Sequence, residues 1–279
     1  MSALLAVDQL RVRFGTRRRG TEVLHGVGFE IAESETLGLV GESGSGKTTI
    51  GRAVLGLVKA SGGSIRFDGR DITSASRRDR RVLAKEIQVV FQDPYSSLNP
   101  AMAIGDILSE PLLLQGVSRR DARARVRTLL DQVGLPADAA DRRPQEFSGG
   151  QRQRVAIARA LAPEPRLIVC DEPVSALDLT TQARVLDLLR EIQQRTKVAY
   201  LFISHDLAVV RHISDRACVL YRGDIVETGP VGQVISHPEH AYTQRLILAS
   251  PVADPDRQAE RRRQRRELLD SLEPSGATA

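Results

Sequence analysis

A chain of 279 residues with 41% hydrophobic and 27% charged side chains has the balance of an ordinary soluble globular protein, long enough to bury a large core. Its two cysteines, Cys170 and Cys218, exclude a disulfide framework and offer no metal-ligand spacing, and the absence of Trp argues against an aromatic platform for nucleic-acid bases. The net charge of +5 comes mainly from Arg clusters mixed with acids (Arg17 to Arg19, Arg77 to Arg81, Arg261 to Arg266), the pattern of a solvated surface and a charged tail rather than of a nucleic-acid or anionic-lipid patch.

In chain order, Met1 to Asp8 is too short and acidic for a signal peptide. Val7 to Phe14 and Gly63 to Asp68 read as antiparallel strands, and Thr36 to Val40 between them as a buried strand. Ile87 to Phe91, Leu167 to Cys170 and Val198 to Ile203 are further short apolar runs rich in branched residues, as strands buried on both faces are. From Asp93 to Ala162 the pattern is almost purely helical. Ser118 followed by Asp121 resembles a capping box, and the helix it opens carries Ala122, Val126, Leu129, Leu130 and Val133 before Gly134 ends it. In Thr180 to Thr196, the residues Val185, Leu188, Leu189 and Ile192 share one helical face. Cys218 to Glu227 reads as a hairpin turning at Arg222-Gly223-Asp224. A last helical candidate runs from Asp256 to Leu272, ahead of a tail, Pro274 to Ala279, expected to be disordered. No apolar run approaches the ~20 residues of a membrane span, so any action at a membrane is expected to go through partners.

Strands alternating with helices predict an α/β fold with a mainly parallel sheet and helices on both faces. An antiparallel β subdomain and an inserted α-helical subdomain complete the expected architecture. The division that follows is an α/β core over 1–92 and 165–229, a helical subdomain over 93–164 and a C-terminal extension over 230–279.

The strand Thr36 to Val40 runs into Gly41-Glu42-Ser43-Gly44-Ser45-Gly46-Lys47-Thr48, which fits G-x-x-x-x-G-K-[ST], with Thr49 next. Glycines let backbone N–H groups curl around phosphates, and the following helix points its partial positive end at them. Lys47 can reach the β- and γ-phosphates of a nucleoside triphosphate, and the Thr48 hydroxyl can bind Mg²⁺. A glycine-rich turn without ligand is the plainer alternative. Leu167 to Cys170 then ends in Asp171-Glu172, which places Asp171 near such a Mg²⁺ and lets Glu172 polarise the attacking water. Two ionised carboxylates at a dry strand end repel each other, so a cation belongs there; a surface acid pair before Pro173 is the alternative. These motifs make the core that of a P-loop NTPase. In Phe147-Ser148-Gly149-Gly150-Gln151 a second glycine turn opens onto a helix, Arg152 to Ala162, and offers a second anion site. Ser148 as an ordinary N-cap is the competing reading, but capping alone is not expected to call for two glycines and a glutamine.

With these motifs, most of residues 4 to 250 resembles the nucleotide-binding subunits of ABC transporters. Ser148, Gly149, Gly150 and Gln151 look like the family signature, with Phe147 where Leu is commonest. The resemblance implies that the signature of one subunit closes over ATP held by the P-loop of a second. Gln92 looks like the Q-loop glutamine, touching Mg²⁺ or the attacking water and facing the membrane partner. Asp178 looks like the D-loop aspartate at the dimer seam, with a plain helix N-cap as alternative. His205, in Ile203-Ser204-His205-Asp206, resembles the switch histidine that contacts the γ-phosphate and positions Glu172. Phe14 falls where the family places an aromatic that stacks on adenine; core packing is the alternative.

Phe91-Gln92-Asp93-Pro94-Tyr95-Ser96-Ser97-Leu98-Asn99-Pro100, and His240 to Leu246 leading to Ser250-Pro251, are similar to dipeptide, oligopeptide and nickel importer ATPases. Members of that subfamily often continue into a cysteine-containing tail that can hold an iron–sulfur cluster; no cysteine follows Cys218 here. The resemblance implies an ATPase using ATP and Mg²⁺ at the cytoplasmic face of the inner membrane. It also implies two membrane-spanning permease subunits, a second ATPase subunit, identical or related, and indirectly an extracytoplasmic substrate-binding protein, with no nucleic acid. The rival classes are a translation or DNA-repair ABC ATPase, expected to carry paired ATPase domains or long coiled coils, and a binding module with hydrolysis lost.

Overall fold

The computed structural model describes residues 3–15, 20–93 and 97–249. The helical candidate Asp256 to Leu272, the tail, two of the Arg clusters, Ser250-Pro251 and Pro94 to Ser96 lie outside the described residues.

Two sheets organise the chain. The smaller is antiparallel, in the order β2-β1-β4-β5, built from β1 (Leu5–Phe14), β2 (Thr21–Ile31), β4 (Gly62–Phe67) and β5 (Arg70–Asp71). In β1, Leu5, Val7, Leu10 and Val12 are buried on one face, with the alternation interrupted by a register shift at Asp8 and Gln9. The larger sheet has the order β10-β9-β3-β8-β7-β6. Its strands are β3 (Thr36–Val40), β6 (Ile87–Val90), β7 (Leu167–Asp171), β8 (Ala199–Ser204), β9 (Arg216–Tyr221) and β10 (Asp224–Pro230). All neighbours pair in parallel except the edge strand β10. β3 and β8 are buried throughout, which is why they read as continuous apolar runs. The expected hairpin is therefore part of the main sheet: its first strand, β9, pairs in parallel with β3.

Helices cover both faces. α1 (Lys47–Val54) follows β3, and α2 (Arg77–Glu86) precedes β6. α3 (Ile104–Leu114) and α4 (Arg119–Gln132) pack with α5 (Gly149–Leu161) as the helical insertion, followed by α6 (Leu179–Thr196) and α7 (Leu207–Ile213). The extension adds α8 (Val231–Ser236) and α9 (Ala241–Ala249). α4 starts where expected: Ser118 Oγ accepts from the Asp121 N–H, which satisfies one orphan donor of the first turn. The Arg77 to Arg81 cluster lies on α2, a largely exposed helix capped by Ser76. One core joins the helical insertion to one face of the main sheet, through Leu129, Leu130, Phe147, Val155 and Phe202 among others. A second core lies between the antiparallel sheet and the other face, with Leu24, Leu39, Ile50 and Leu201. Phe147 is buried in the first core with the Arg142 guanidinium 4.4 Å from its ring centre, so its departure from Leu is taken up in packing. Among the described residues no helix is long and apolar enough to cross a membrane.

Candidate active site

The carboxyl ends of β3, β8, β7 and β6 are neighbours, and each delivers a predicted residue to the same rim. In open α/β sheets that edge is where ligands sit. Val40 pairs with Ser204 and Asp171 with Ile203, so the P-loop, His205 and the acid pair leave the sheet level with one another. Gln92 follows β6 on the far side of β7.

The loop from Gly41 ends on Gly46, which caps α1 in the left-handed region at φ 111°, a conformation that needs glycine. Ser43, Gly44, Gly46, Lys47, Thr48 and Thr49 line a cavity of about 270 Å³ together with Gln92, Glu172 and Val23. Lys47 is buried, and its Nζ donates to the carbonyls of Gly41 and Glu42, each at 2.8 Å. Burial pushes the Lys47 pKa down, opposed by the charges of Glu172, Asp171 and Glu42. Ser45 Oγ lies buried without a hydrogen-bond partner, in a loop where an anion would supply one.

Thr48 Oγ1 donates to Asp171 Oδ1 at 3.0 Å. Burial, then the neighbouring Glu172 charge, raises the Asp171 pKa, while Thr48, Arg52 and Lys47 lower it. A hydroxyl and one carboxylate are hard oxygen donors that suit Mg²⁺, which is commonly held by one or two carboxylates with phosphate oxygens and water. Among the described residues no cluster of three His, Cys, Asp or Glu could hold a metal unaided. The donor set therefore fits Mg²⁺ arriving with a nucleotide.

Glu172 has φ 49°, a left-handed backbone that costs a non-glycine residue about 1–3 kcal/mol and is characteristic of functional sites. Its N–H donates to the Ile203 carbonyl at 2.9 Å, and its carbonyl accepts from Ser175 Oγ. These bonds hold the turn and aim the carboxylate into the cavity, where Oε2 lies 3.1 Å from His205 Nδ1.

Ser148 to Gln151 line no part of this cavity. Ser148 is the N-cap of α5, accepting from the Gln151 N–H at 3.3 Å, while Gln151 Oε1 accepts from the Ser148 N–H at 2.9 Å. This corrects the expectation about capping: serine with glutamine three residues on is a complete capping box, so Gln151 has a structural reason. Gly150 has one too, since a Cβ there would lie 2.3 Å from Thr181 Cγ2. Asp178 caps α6, accepting from the N–H and hydroxyl of Thr181, and Thr181 thereby joins the two turns. Phe14 is 47% exposed, which removes core packing and leaves its ring available. Sequence reasoning missed Val23 as a lining residue and Gly223, whose N–H donates to the Ser45 carbonyl at 3.0 Å. Nothing local marks either one.

A family profile described as ABC transporter matches residues 24–175. The chain belongs to the ABC transporter family. A candidate peptide import ATP-binding protein of Brucella ovis is 51% identical over 259 residues, which cover 92% of this chain and 82% of that protein. The glutathione import ATP-binding protein GsiA of Escherichia coli K12 is 49% identical over 260 residues, 92% of this chain but 42% of GsiA. The solved ATP-binding cassette MJ0796, a dimer in a post-hydrolysis state with ADP and Pi, superposes with a TM-score of 0.73 at 27% identity, covering 81% of this chain and 98% of the cassette. CbiO1 from Clostridium perfringens gives 0.77 at 29% identity, covering 88% and 96%. This ABC protein is thus an ATPase cassette whose curated relatives carry the names of import ATP-binding proteins.

Proposed function

We propose that this ABC ATPase binds ATP with Mg²⁺ and hydrolyses it to drive uptake of peptides, or of a related small solute such as nickel. The observation that carries the reading is one cavity at the carboxyl edge of the sheet lined by Lys47, Thr48, Gln92 and Glu172, with Asp171 bonded to Thr48 and His205 beside Glu172. Phosphoryl transfer needs positioning and charge neutralisation more than covalent chemistry. Gly41, Ser43, Gly44, Ser45, Gly46 and Thr49 shape the phosphate cradle, and Lys47, held by its loop carbonyls, turns its remaining N–H donor to the β- and γ-phosphates. Thr48, Asp171 and Gln92 would hold Mg²⁺, which would supply neutralisation of the phosphate charge. Glu172 orients water in line and takes its proton, and His205 holds Glu172 in place. Phe14 stacks on adenine.

A second ATPase subunit, identical or related, supplies Ser148, Gly149, Gly150 and Gln151 across the nucleotide, with Asp178 at the seam. The absence of the signature residues from the lining of the chain's own cavity supports this, as does the dimeric cassette. Residues 93–164 serve as the helical subdomain facing two permease subunits at the cytoplasmic face of the inner membrane. An extracytoplasmic binding protein acts upstream, and no nucleic acid takes part. The import-protein names of the relatives support the peptide substrate.

The test is Glu172→Gln. It should retain ATP binding and ATP-dependent pairing while phosphate release falls by about 10²-fold or more, the scale of a lost general base. Undiminished turnover would refute the assignment.

A further inference from the structure

The C-terminal extension touches the nucleotide loop. Glu227 Oε1 and Oε2 accept from the N–H groups of Glu239 and His240 at 3.0 and 3.1 Å, and His240 Nδ1 accepts from the Tyr242 N–H at 3.1 Å. These bonds fix the start of α9 against the edge strand β10. Tyr242 is buried, its ring centre 4.1 Å from that of Tyr221 at the end of β9. Its phenol oxygen accepts from the Glu42 N–H at 3.0 Å. Burial pushes the phenol pKa up, so the oxygen stays a neutral hydroxyl.

That N–H and the Gly41 carbonyl belong to one peptide group, and the Gly41 carbonyl accepts from Lys47 Nζ at 2.8 Å. A trans peptide is rigid and planar, with N–H and C=O pointing opposite ways. Pinning the N–H outward on Tyr242 therefore directs the carbonyl inward at the lysine. The bond also polarises that carbonyl and strengthens its hold on the ammonium.

We propose that the C-terminal extension is part of the nucleotide site, with Tyr242 a positioning residue that fixes the first peptide of the P-loop. The contact joins residues 200 positions apart and orders the loop before ATP arrives, so less order has to be imposed on binding. The inference rests on the reading of Gly41 to Thr49 as the ATP-binding loop.

The experiment uses the full chain and Tyr242→Phe, which keeps the ring against Tyr221 and removes only the hydroxyl. The ATP Kd and the KM for ATP should rise about fivefold, the equivalent of one lost hydrogen bond, with kcat changed much less. In the wild type the Glu42 amide should be protected from hydrogen exchange, and the substitution should release it. A purely packing role would shift the melting temperature and leave KM unmoved, and that result would overturn the proposal, as would an unprotected Glu42 amide in the wild type. Lys47→Ala is measured alongside. If it still binds ATP normally, the loop assignment itself fails; if it loses ATP while Tyr242→Phe binds as the wild type does, only the role of Tyr242 fails.

Discussion

Gly150 sits at the second position of α5, where helix propensity favours alanine by about 1 kcal/mol. An added Cβ would, however, lie 2.3 Å from Thr181 Cγ2, short of an ordinary carbon contact by about 1.5 Å. Thr181 cannot turn its methyl away cheaply. Its Oγ1 donates to Asp178 Oδ2 at 2.7 Å, and a β-branched side chain is stiff at χ1. Overpacking of this kind costs about 1–3 kcal/mol, so Gly150→Ala should destabilise the chain by roughly 1 kcal/mol net of propensity. Thr181→Ser removes the methyl and keeps the hydroxyl on Asp178. In that background Gly150→Ala should change sign and stabilise by up to about 1 kcal/mol. The coupling energy is then about 2 kcal/mol, well above the ~0.5 kcal/mol scatter of independent sites. Urea unfolding of the four proteins measures it from midpoints at constant slope. Equal effects of Gly150→Ala in both backgrounds would refute the argument that close approach of α5 to α6 dictates this glycine.

Two further outcomes follow from charge and burial. The Asp171 carboxyl titrates above its ordinary value of 3.8 because burial penalises its ionised form. A raised folded-state pKa means stability that is complete below the unfolded value and is lost as pH rises through the folded one. Without divalent ions, Asp171→Asn should therefore melt higher than the wild type at neutral pH, the gap closing as the medium is acidified toward pH 3.8; a lower neutral melting point for the variant would contradict this. Cys170 and Cys218 are buried and their thiols are pushed up, by desolvation above all. Neither should react with iodoacetamide until urea unfolds the chain, and both should then react together; labelling of the native protein read by mass spectrometry checks this.

Legibility tracked how local the cause was. β3, β7 and β8 and the helix from 180 stood out because strands buried on both faces and one-sided helices leave clear patterns. β2 was missed: Gly26 sits inside it at φ 111°, and the ladder to β1 shifts register nearby, which breaks the alternation a strand should show. α2 was seen only as an Arg cluster, because one buried residue, Leu83, leaves little apolar period. In the site, Lys47, Thr48, Asp171 and Glu172 were found because each chemistry is written into consecutive residues. The capping role of Gln151 was overlooked although serine and glutamine stand at the spacing that signals it.

By itself the sequence determined the pieces whose cause lies within one loop or one turn: a glycine loop opening a helix, a buried strand ending in acids, a serine–glutamine cap. Folding decided what those pieces meet. The adjacency of β3, β8, β7 and β6 brings His205 to 3.1 Å from Glu172 and Asp171 to 3.0 Å from Thr48. Packing of the other segments leaves Phe14 exposed, puts Gly223 on the P-loop and sets Tyr242 against Glu42. Such contacts depend on strand order and on packing between segments far apart in the chain, and local residue patterns carry no record of either.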